Sequence, residues 1–355
     1  MIGDRLKQAR QSAGFSLRAL AEQTDVSAMA ISKYERGEMT PGSDVLLRLS
    51  KSLGVRVEYF FRQATVRLEA VEFRNRASLS KADECRILAD VQDRLERWQA
   101  LDEIFPPSEE MCFAIPDQVP KKIRSGDDIE QAAIAVREAW ELGHNPIPGL
   151  VDTFEEHGIR VIVTPYIGEE SFDGLAGRAG DMPVIAVGSH WPGDRQRFTL
   201  AHELGHLILH GRLVDGLDEE KACHHFAGAF LAPKDIVIES LGRKRRWIEP
   251  RELMLLKQEF GLSMAAWTFR ALELGVLDKT THGKYWGYLR KHGWDKNEPG
   301  PRYRSEASHL FEKRVYHALA EDWLGESRAA ELLGMPLVEL RACRNMECPA
   351  DAADQ

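Results

Sequence analysis

The 355-residue sequence predicts a mainly α-helical protein with a small β-sheet, which is the α+β class. Most segments repeat apolar residues at three- and four-residue steps, as helices with one buried face do. Three short stretches, TVRLEAVEFR, GIRVIVTPY and MPVIAVGS, alternate or are rich in β-branched residues, which predicts strands. The length suffices for two or three domains, each with its own core.

Composition excludes several classes of protein. No apolar run reaches the roughly 20 residues that a membrane helix needs, and the N-terminus lacks the apolar core of a signal peptide. Five cysteines, odd in number and without a C-x-x-C pair, predict reduced thiols in the cytoplasm. We therefore expect a cytoplasmic protein that has no membrane partner.

Charge is distributed unevenly along the chain. The net charge is −9, yet residues 1–62 carry ten basic and seven acidic side chains, so this segment is +3 and the remainder −12. The asymmetry predicts two different tasks. We expect an all-α N-terminal domain at 1–62, a linker at 63–126, a second domain at 127–290 and a helical C-terminal segment at 291–355. No internal repeat is evident.

The linker predicts a strand followed by a long helix that begins at Ser80 and ends at the FPP of 105–107. An apolar stripe along this helix predicts a core face, with a dimer seam as the less favoured alternative. The stripe consists of Ile87, Leu88, Val91, Leu95, Trp98 and Leu101. Further helices are predicted in DIEQAAIAVREAWEL, in EKACHHFAGAFLAP, on either side of Gly261, and in SRAAELLGMPLVELR.

The segment SLRALAEQTDVSAMAISKYERGEMTP has the rhythm of a helix-turn-helix. Ser27 is a good N-cap for the second helix, and Gly37 is its expected stop. Ile31 and Tyr34 are expected to face inward. The outward positions, which could enter a major groove, are Ala28, Met29, Ser32 and Lys33. A four-helix bundle used for protein contacts fits the rhythm equally well.

This segment closely resembles the XRE, lambda-repressor-like DNA-binding domain over about residues 3–61. The resemblance implies a homodimer that binds an operator in double-stranded DNA through Ser27, Ala28, Met29, Ser32, Lys33 and Arg36. The sequence departs from the family at Leu17, where a glutamine is common. Ala28 and Met29 are poor hydrogen-bond readers, so direct readout rests on Ser32, Lys33, thymine-methyl contacts and DNA shape.

The stretch RFTLAHELGHLILH, residues 197–210, contains the H-E-x-x-H pattern. His202 and His206 are four residues apart, so a helix presents both imidazoles on one face, where they can bind Zn²⁺. Glu203 can take the proton of the attacking water and pass it to the leaving amine. The alternative is that these histidines only satisfy buried backbone carbonyls.

A catalytic zinc site needs a third protein ligand, and the next helix offers several candidates. Helical phase favours Glu220, because Phe226 and Phe230 of the same helix are expected to pack inward; His224 lies one turn later on the same face. The other candidates are Asp215, Asp218, Glu219, His225 and, on the first helix, His210. Candidates for an oxyanion donor are Arg197, His190, His224 and His225.

The chain over about 130–290 resembles the ImmA/IrrE family of zinc metallopeptidases, through GDMPVIAVGSHWPGDRQRFTLAHELGHLILH, EEKACHHFAGAFLAP and LKQEFGLSMAAWTFRALELGVL. The resemblance implies a zincin-like domain with one Zn²⁺ per chain, held by His202, His206 and Glu220, and with Glu203 as general base. His210 and His224 are implied as residues behind the ligands. The family more often has a small residue and Asn where this chain has Cys223 and His224.

Together the two resemblances imply a DNA-binding transcription regulator that carries a zinc endopeptidase. The implied substrate is a transcriptional repressor, or the protein itself, cut in response to a signal such as stress. The alternative is a regulator whose peptidase-like domain senses a ligand with little proteolysis, as in a toxin–antitoxin or prophage module. We also expect PVIAVGS to be an edge strand that binds substrate, gated by the helix from Ser80 to Ile104 or by residues 290–355.

Overall fold

The computed structural model describes residues 2–62, 66–74, 79–106, 111–165 and 172–347. The predicted fold class, mainly α with a small sheet, is confirmed. The helices are α1 (Ile2–Ser12), α2 (Leu17–Thr24), α3 (Ala28–Glu35), α4 (Ser43–Leu53), α5 (Lys81–Asp102), α6 (Gly126–Ala139), α7 (Leu150–Glu156), α8 (Gly193–Leu209), α9 (Glu219–Leu231), α10 (Lys234–Leu241), α11 (Pro250–Phe260), α12 (Met264–Glu273), α13 (Lys279–Lys291), α14 (His309–Ala320), α15 (Glu326–Leu333) and α16 (Leu337–Arg344). The strands are β1 (Glu69–Arg74), β2 (Arg160–Thr164), β3 (Gly174–Ala179) and β4 (Met182–Gly188).

The four strands form one sheet in the order β1-β3-β4-β2. Strand β1 runs antiparallel to β3, with Phe73 opposite Leu175. The expectation that PVIAVGS is an edge strand is wrong, because β4 lies between β3 and β2. Its residues 183–188 are all buried, and a strand that is apolar on both faces is typical of a sheet interior. A substrate therefore cannot add its backbone to this strand.

The described residues divide into two compact units, which combine ranges distant in sequence. The first unit comprises 1–107, 164–186 and 311–348, and the second comprises 108–163 and 187–310.

In the first unit, helices α1 to α4 and a 3₁₀ turn at Val57–Phe61 enclose a small core around Leu20, Ile31 and Phe60. Helix α1 packs against α5, and Arg5 forms a buried ion pair with Glu96. The predicted apolar stripe of α5 lies in the core, except that Leu88 is half-buried.

In the second unit, α8 packs along α9, and α9 packs against α6. Gly205 makes the first contact possible, because a Cβ atom there would lie 3.2 Å from the Cα of Cys223. Any larger residue would push the two helices apart. The glycine of the H-E-x-x-H stretch therefore brings α9 close to the histidines of α8.

The expectation of reduced thiols is confirmed at Cys85, Cys112 and Cys223 and is wrong at Cys343, which is disulfide-bonded. Within the described ranges, no helix combines the length and apolar character needed to cross a bilayer.

Candidate functional site

The H-E-x-x-H residues lie in the last two turns of α8, the most deeply buried helix of the second unit. Leu200, Leu204 and Ile208 are fully buried on its apolar face. The side chain of His202 is 1% exposed, whereas that of His206 is 25% exposed. The helix thus holds one imidazole in the core and the other at the edge of an opening to solvent.

Helix α9 brings Glu220 to both imidazoles. Its two carboxylate oxygens lie 3.3 Å from His202 Nε2 and 3.3 Å from His206 Nε2, and the two nitrogens are 3.1 Å apart. Tetrahedral Zn²⁺ with ligand distances near 2.0–2.1 Å requires ligand atoms about 3.3–3.4 Å apart. The donor set and its spacing therefore fit a zinc ion. The side chain of Glu220 is 65% exposed, so this site opens to solvent on one side.

The other acidic candidates have different partners. Glu219 Oε1 lies 3.3 Å from His206 Nδ1 and 3.6 Å from the Nδ1 of the exposed His210. A carboxylate on the far nitrogen of a histidine fixes which nitrogen faces a metal. Asp218 is the N-cap of α9, where its carboxylate accepts the Lys221 N–H at 3.0 Å. Among these residues, only Glu220 contacts the Nε2 atoms of both histidines.

His224 lies one turn beyond Glu220 on α9 and is exposed. Its Nδ1 is 2.7 Å from the Glu220 carbonyl oxygen, and its ring centroid is 4.5 Å from that of His202. One ligand atom each from His202, Glu220 and His224 lie within 4.8 Å of one another. The sequence left open whether Glu220 or His224 is the third ligand. The structure places both beside His202, with Glu220 also in contact with His206.

A buried ion-pair network holds α9 in place from its other side. Glu130 of α6 accepts hydrogen bonds from His225 at 2.7 Å and from the Arg270 guanidinium at 2.6 and 3.1 Å. Arg270 also donates to the carbonyl oxygen of Ala232 at the end of α9. Burial alone would raise the pKa of Glu130, but the hydrogen bonds from His225 and Arg270 lower it to about 2. The network joins α6, α9 and α12.

Two candidates for an oxyanion donor are used elsewhere in the second unit. Arg197 is fully buried and donates to Glu306 at 2.6 Å and to the Ile147 carbonyl at 2.8 Å. His225 belongs to the network with Glu130. The sequence could not show these roles, because each pairs residues that are 50 or more positions apart.

A cavity of about 780 Å³ opens in the second unit, and His224 forms part of its wall. Aromatic side chains line it, namely Trp191, Phe198 and Phe269. Lys257 lies at the wall between Asp194 at 3.3 Å and Glu298 at 2.8 Å. Burial raises the pKa of Asp194 despite the lysine beside it. The volume of the cavity falls in the range of small-molecule sites. Sequence patterns gave no signal for this cavity, since its lining comes from four separate stretches, within 190–198, 224–228, 257–273 and 296–302.

The predicted helix-turn-helix is formed by α2 and α3. Ser27 caps α3 by accepting the Ala30 N–H at 3.1 Å, and Gly37 follows the helix with φ +71°. Ile31 and Tyr34 face the core as expected, whereas Met29 is 71% exposed. Lys33 is exposed too.

The remaining predicted DNA contacts already have partners in the protein. Arg36 donates to the Ser32 hydroxyl at 2.9 Å and to Glu38 at 2.6 and 3.1 Å. Ala28 is half-buried. The outer face of α3 therefore presents Met29 and Lys33 most openly, and Ser32 and Arg36 as a hydrogen-bonded pair.

Known families match the same two regions. The family described as "IrrE N-terminal-like domain", peptidase family M78, matches residues 154–272. The family described as "Helix-turn-helix" matches residues 6–60.

Three curated relatives are named as HTH-type regulators. The HTH-type transcriptional regulator ImmR of Bacillus subtilis is 40% identical over 58 residues, which are 16% of this chain and 46% of ImmR. A putative HTH-type transcriptional regulatory protein of Methanococcoides burtonii is 47% identical over 51 residues, 14% of this chain and 16% of that protein. The SPbeta prophage-derived uncharacterized HTH-type transcriptional regulator YonR of B. subtilis is 31% identical over 75 residues, 21% of this chain and 69% of YonR. The chain belongs to the family of HTH-type transcriptional regulators.

The match covers less than half the length of the first two of these relatives. In this regulator, the IrrE N-terminal-like domain contains α8 and α9, and therefore all the candidate metal donors.

Proposed function

We propose that this regulator is a zinc-dependent endopeptidase that binds double-stranded DNA through α3. One observation carries the peptidase part, namely the convergence of His202 Nε2, His206 Nε2 and the Glu220 carboxylate at 3.1–3.3 Å. The three residues would hold one Zn²⁺ per chain. A bound zinc ion supplies Lewis-acid chemistry, which polarises a carbonyl group and lowers the pKa of water.

Glu203 is the proposed general base. It follows His202 directly on α8 and is 6% exposed, so it is held in a largely dry place beside the donors. Its carboxylate would take the proton of the attacking water and deliver it to the leaving amine. Glu219 is a positioning residue, because its contact with His206 Nδ1 directs Nε2 toward the shared centre.

A cleavage assay with zinc-loaded full-length protein tests the peptidase proposal. Unfolded casein and a candidate repressor serve as substrates, and mass spectrometry identifies the products. We expect Glu203→Gln to abolish cleavage while zinc stays bound. Glu239→Gln, on the surface of α10, is the matched control and should cleave as the wild type does. Equal cleavage by wild type and Glu203→Gln would contradict the proposal.

The proposed partner of α3 is the major groove of an operator. The +3 charge of residues 1–62 and the exposed Met29 and Lys33 support this. A homodimer is proposed because one such helix reads only a half-site. We expect the full-length protein to bind duplex DNA with an affinity that falls steeply with salt. An affinity for DNA that does not change between low and physiological salt concentration would contradict the proposed DNA binding.

The proposed substrate is a transcriptional repressor, either a partner or this chain itself, and cleavage would relieve repression. A second function, sensing of a ligand by a domain with little proteolysis, is favoured by the cavity of about 780 Å³ beside His224. The cleavage assay separates the two, because a sensor would bind zinc without cutting either substrate.

A further inference from the structure

The position of His224 distinguishes this zinc site from one with three protein ligands. We propose that His224 Nε2 is a fourth protein donor, so that the resting centre has three imidazoles and one carboxylate. This inference rests on the proposed zinc function and concerns how the same site is regulated. A zinc centre with four protein ligands is closed, whereas a catalytic centre keeps one position open.

The tautomer of His224 follows from its hydrogen bond. Nδ1 lies 2.7 Å from the Glu220 carbonyl oxygen, which can only accept, so Nδ1 carries the proton and donates. In neutral imidazole, Nε2 then has the lone pair that a metal requires. A backbone carbonyl behind the ring is also the usual arrangement for a metal-binding histidine.

The placement of the ring supports the same role. The His224 and His202 rings are 4.5 Å apart and inclined by 60°. One ligand atom each from His202, Glu220 and His224, a ring nitrogen for each histidine, lie within 4.8 Å of one another, and the side chain of His224 is exposed. Binding as a fourth ligand therefore needs only a small rotation of an exposed side chain. His202, by contrast, is 1% exposed and has no room for such movement.

Occupation of the cavity would displace His224 from the metal. His224 is part of the wall of the 780 Å³ cavity, where Phe198 lies 5.8 Å from it between ring centroids. A peptide or ligand that enters this cavity contacts His224 directly. Its withdrawal would open the fourth position, so occupation of the cavity and opening of the zinc centre would be coupled. Glu220 and the two α8 histidines would keep the ion throughout.

X-ray absorption at the zinc edge and zinc competition titrations on the full-length protein test this inference. We expect three imidazole ligands in the wild type and two in His224→Asn. Zinc affinity should fall about tenfold or more in His224→Asn, since even residues behind a ligand contribute about 10–100-fold. His144→Asn is the matched control, because His144 is an exposed histidine outside α8 and α9, and it should keep three imidazoles and the wild-type zinc affinity.

Two imidazoles in the wild type, with His224→Asn within twofold of its zinc affinity, would overturn the proposal for His224 and leave the zinc function intact. Wild-type protein that binds no zinc would instead overturn the proposed function. If His224→Asn does not fold, as judged by circular dichroism, His224→Gln provides the same comparison; the number of imidazoles in the wild type decides the question in either case.

Discussion

The α8–α9 pair and the α2–α3 pair each consist of two consecutive helices, but they present their functional side chains in opposite ways. In α8–α9 the donor atoms converge, with His202 buried and with distances of 3.1 Å between the two Nε2 atoms and 3.3 Å from each Nε2 to a carboxylate oxygen of Glu220. In α3 the side chains diverge, and Met29 and Lys33 point to solvent with no shared partner.

This difference predicts how each site responds to mutation. A converging centre loses its function when one donor is removed, because the ion binds to all of them at once. A diverging surface loses affinity in small steps, because each contact with DNA is made separately.

His206→Ala should abolish zinc binding almost completely. It removes a donor that lies 3.1 Å from one remaining donor and 3.3 Å from the other. Metal analysis of purified protein measures the zinc content, with His144→Ala, at an exposed histidine outside α8 and α9, as the control that should keep it. Zinc at wild-type occupancy in His206→Ala would show that α8 and α9 do not form the centre.

Arg270→Met should destabilise the protein by about 3–5 kcal/mol, because it leaves the buried carboxylate of Glu130 without its main partner. Urea unfolding of the metal-free protein gives the change in the free energy of unfolding. Arg290→Met, an exposed arginine on α13, should change it by less than about 0.5 kcal/mol. Equal effects would mean that the network does not hold α9.

Acid should weaken the same network. The pKa of Glu130 is lowered to about 2 from an ordinary 4.5, so its stabilisation is complete above pH 4.5 and is lost as pH falls toward 2. The loss should be on the order of 2–3 kcal/mol. The unfolding free energies of wild type and Glu130→Gln are measured without metal across this pH range. The difference between them gives the contribution of Glu130 to the loss of stability. Parallel pH curves for the two proteins would rule out this origin.

Ser32→Ala combined with Lys33→Ala should reduce the preference for an operator over random DNA by roughly 1–3 kcal/mol, with a smaller loss on random DNA. Selection from random duplexes identifies the operator, and titrations at one salt concentration compare the two DNAs. Lys51→Ala, on α4, is the charge-matched control. Equal loss on both DNAs would mean that Ser32 and Lys33 touch only phosphates.

Local spacing made much of both pairs predictable. The i, i+4 histidines, the Ser27 cap and the turn at Gly261 depend on neighbours within a few residues, and the structure has all three. Helical phase also favoured Glu220. What it could not distinguish was Glu220 from His224, because the two residues lie one turn apart on the same face of α9.

Features that depend on distant partners were not predictable. Arg270 pairs with Glu130 across 140 positions, and Arg197 with Glu306 across 109. The prediction of an edge strand at PVIAVGS is wrong because β4 pairs on both sides. The lack of polar residues on either face of PVIAV is typical of an interior strand. The cavity beside His224 depends on α8, α9 and α12 together.

In the proposed site, α8 and α9 together hold one zinc ion. Anomalous diffraction from crystals of the full-length protein, recorded on both sides of the zinc absorption edge, tests it most directly. We predict one zinc peak per chain, bounded by His202 Nε2, His206 Nε2 and the Glu220 carboxylate. A zinc peak elsewhere, or none at these donors in zinc-loaded crystals, would contradict the account.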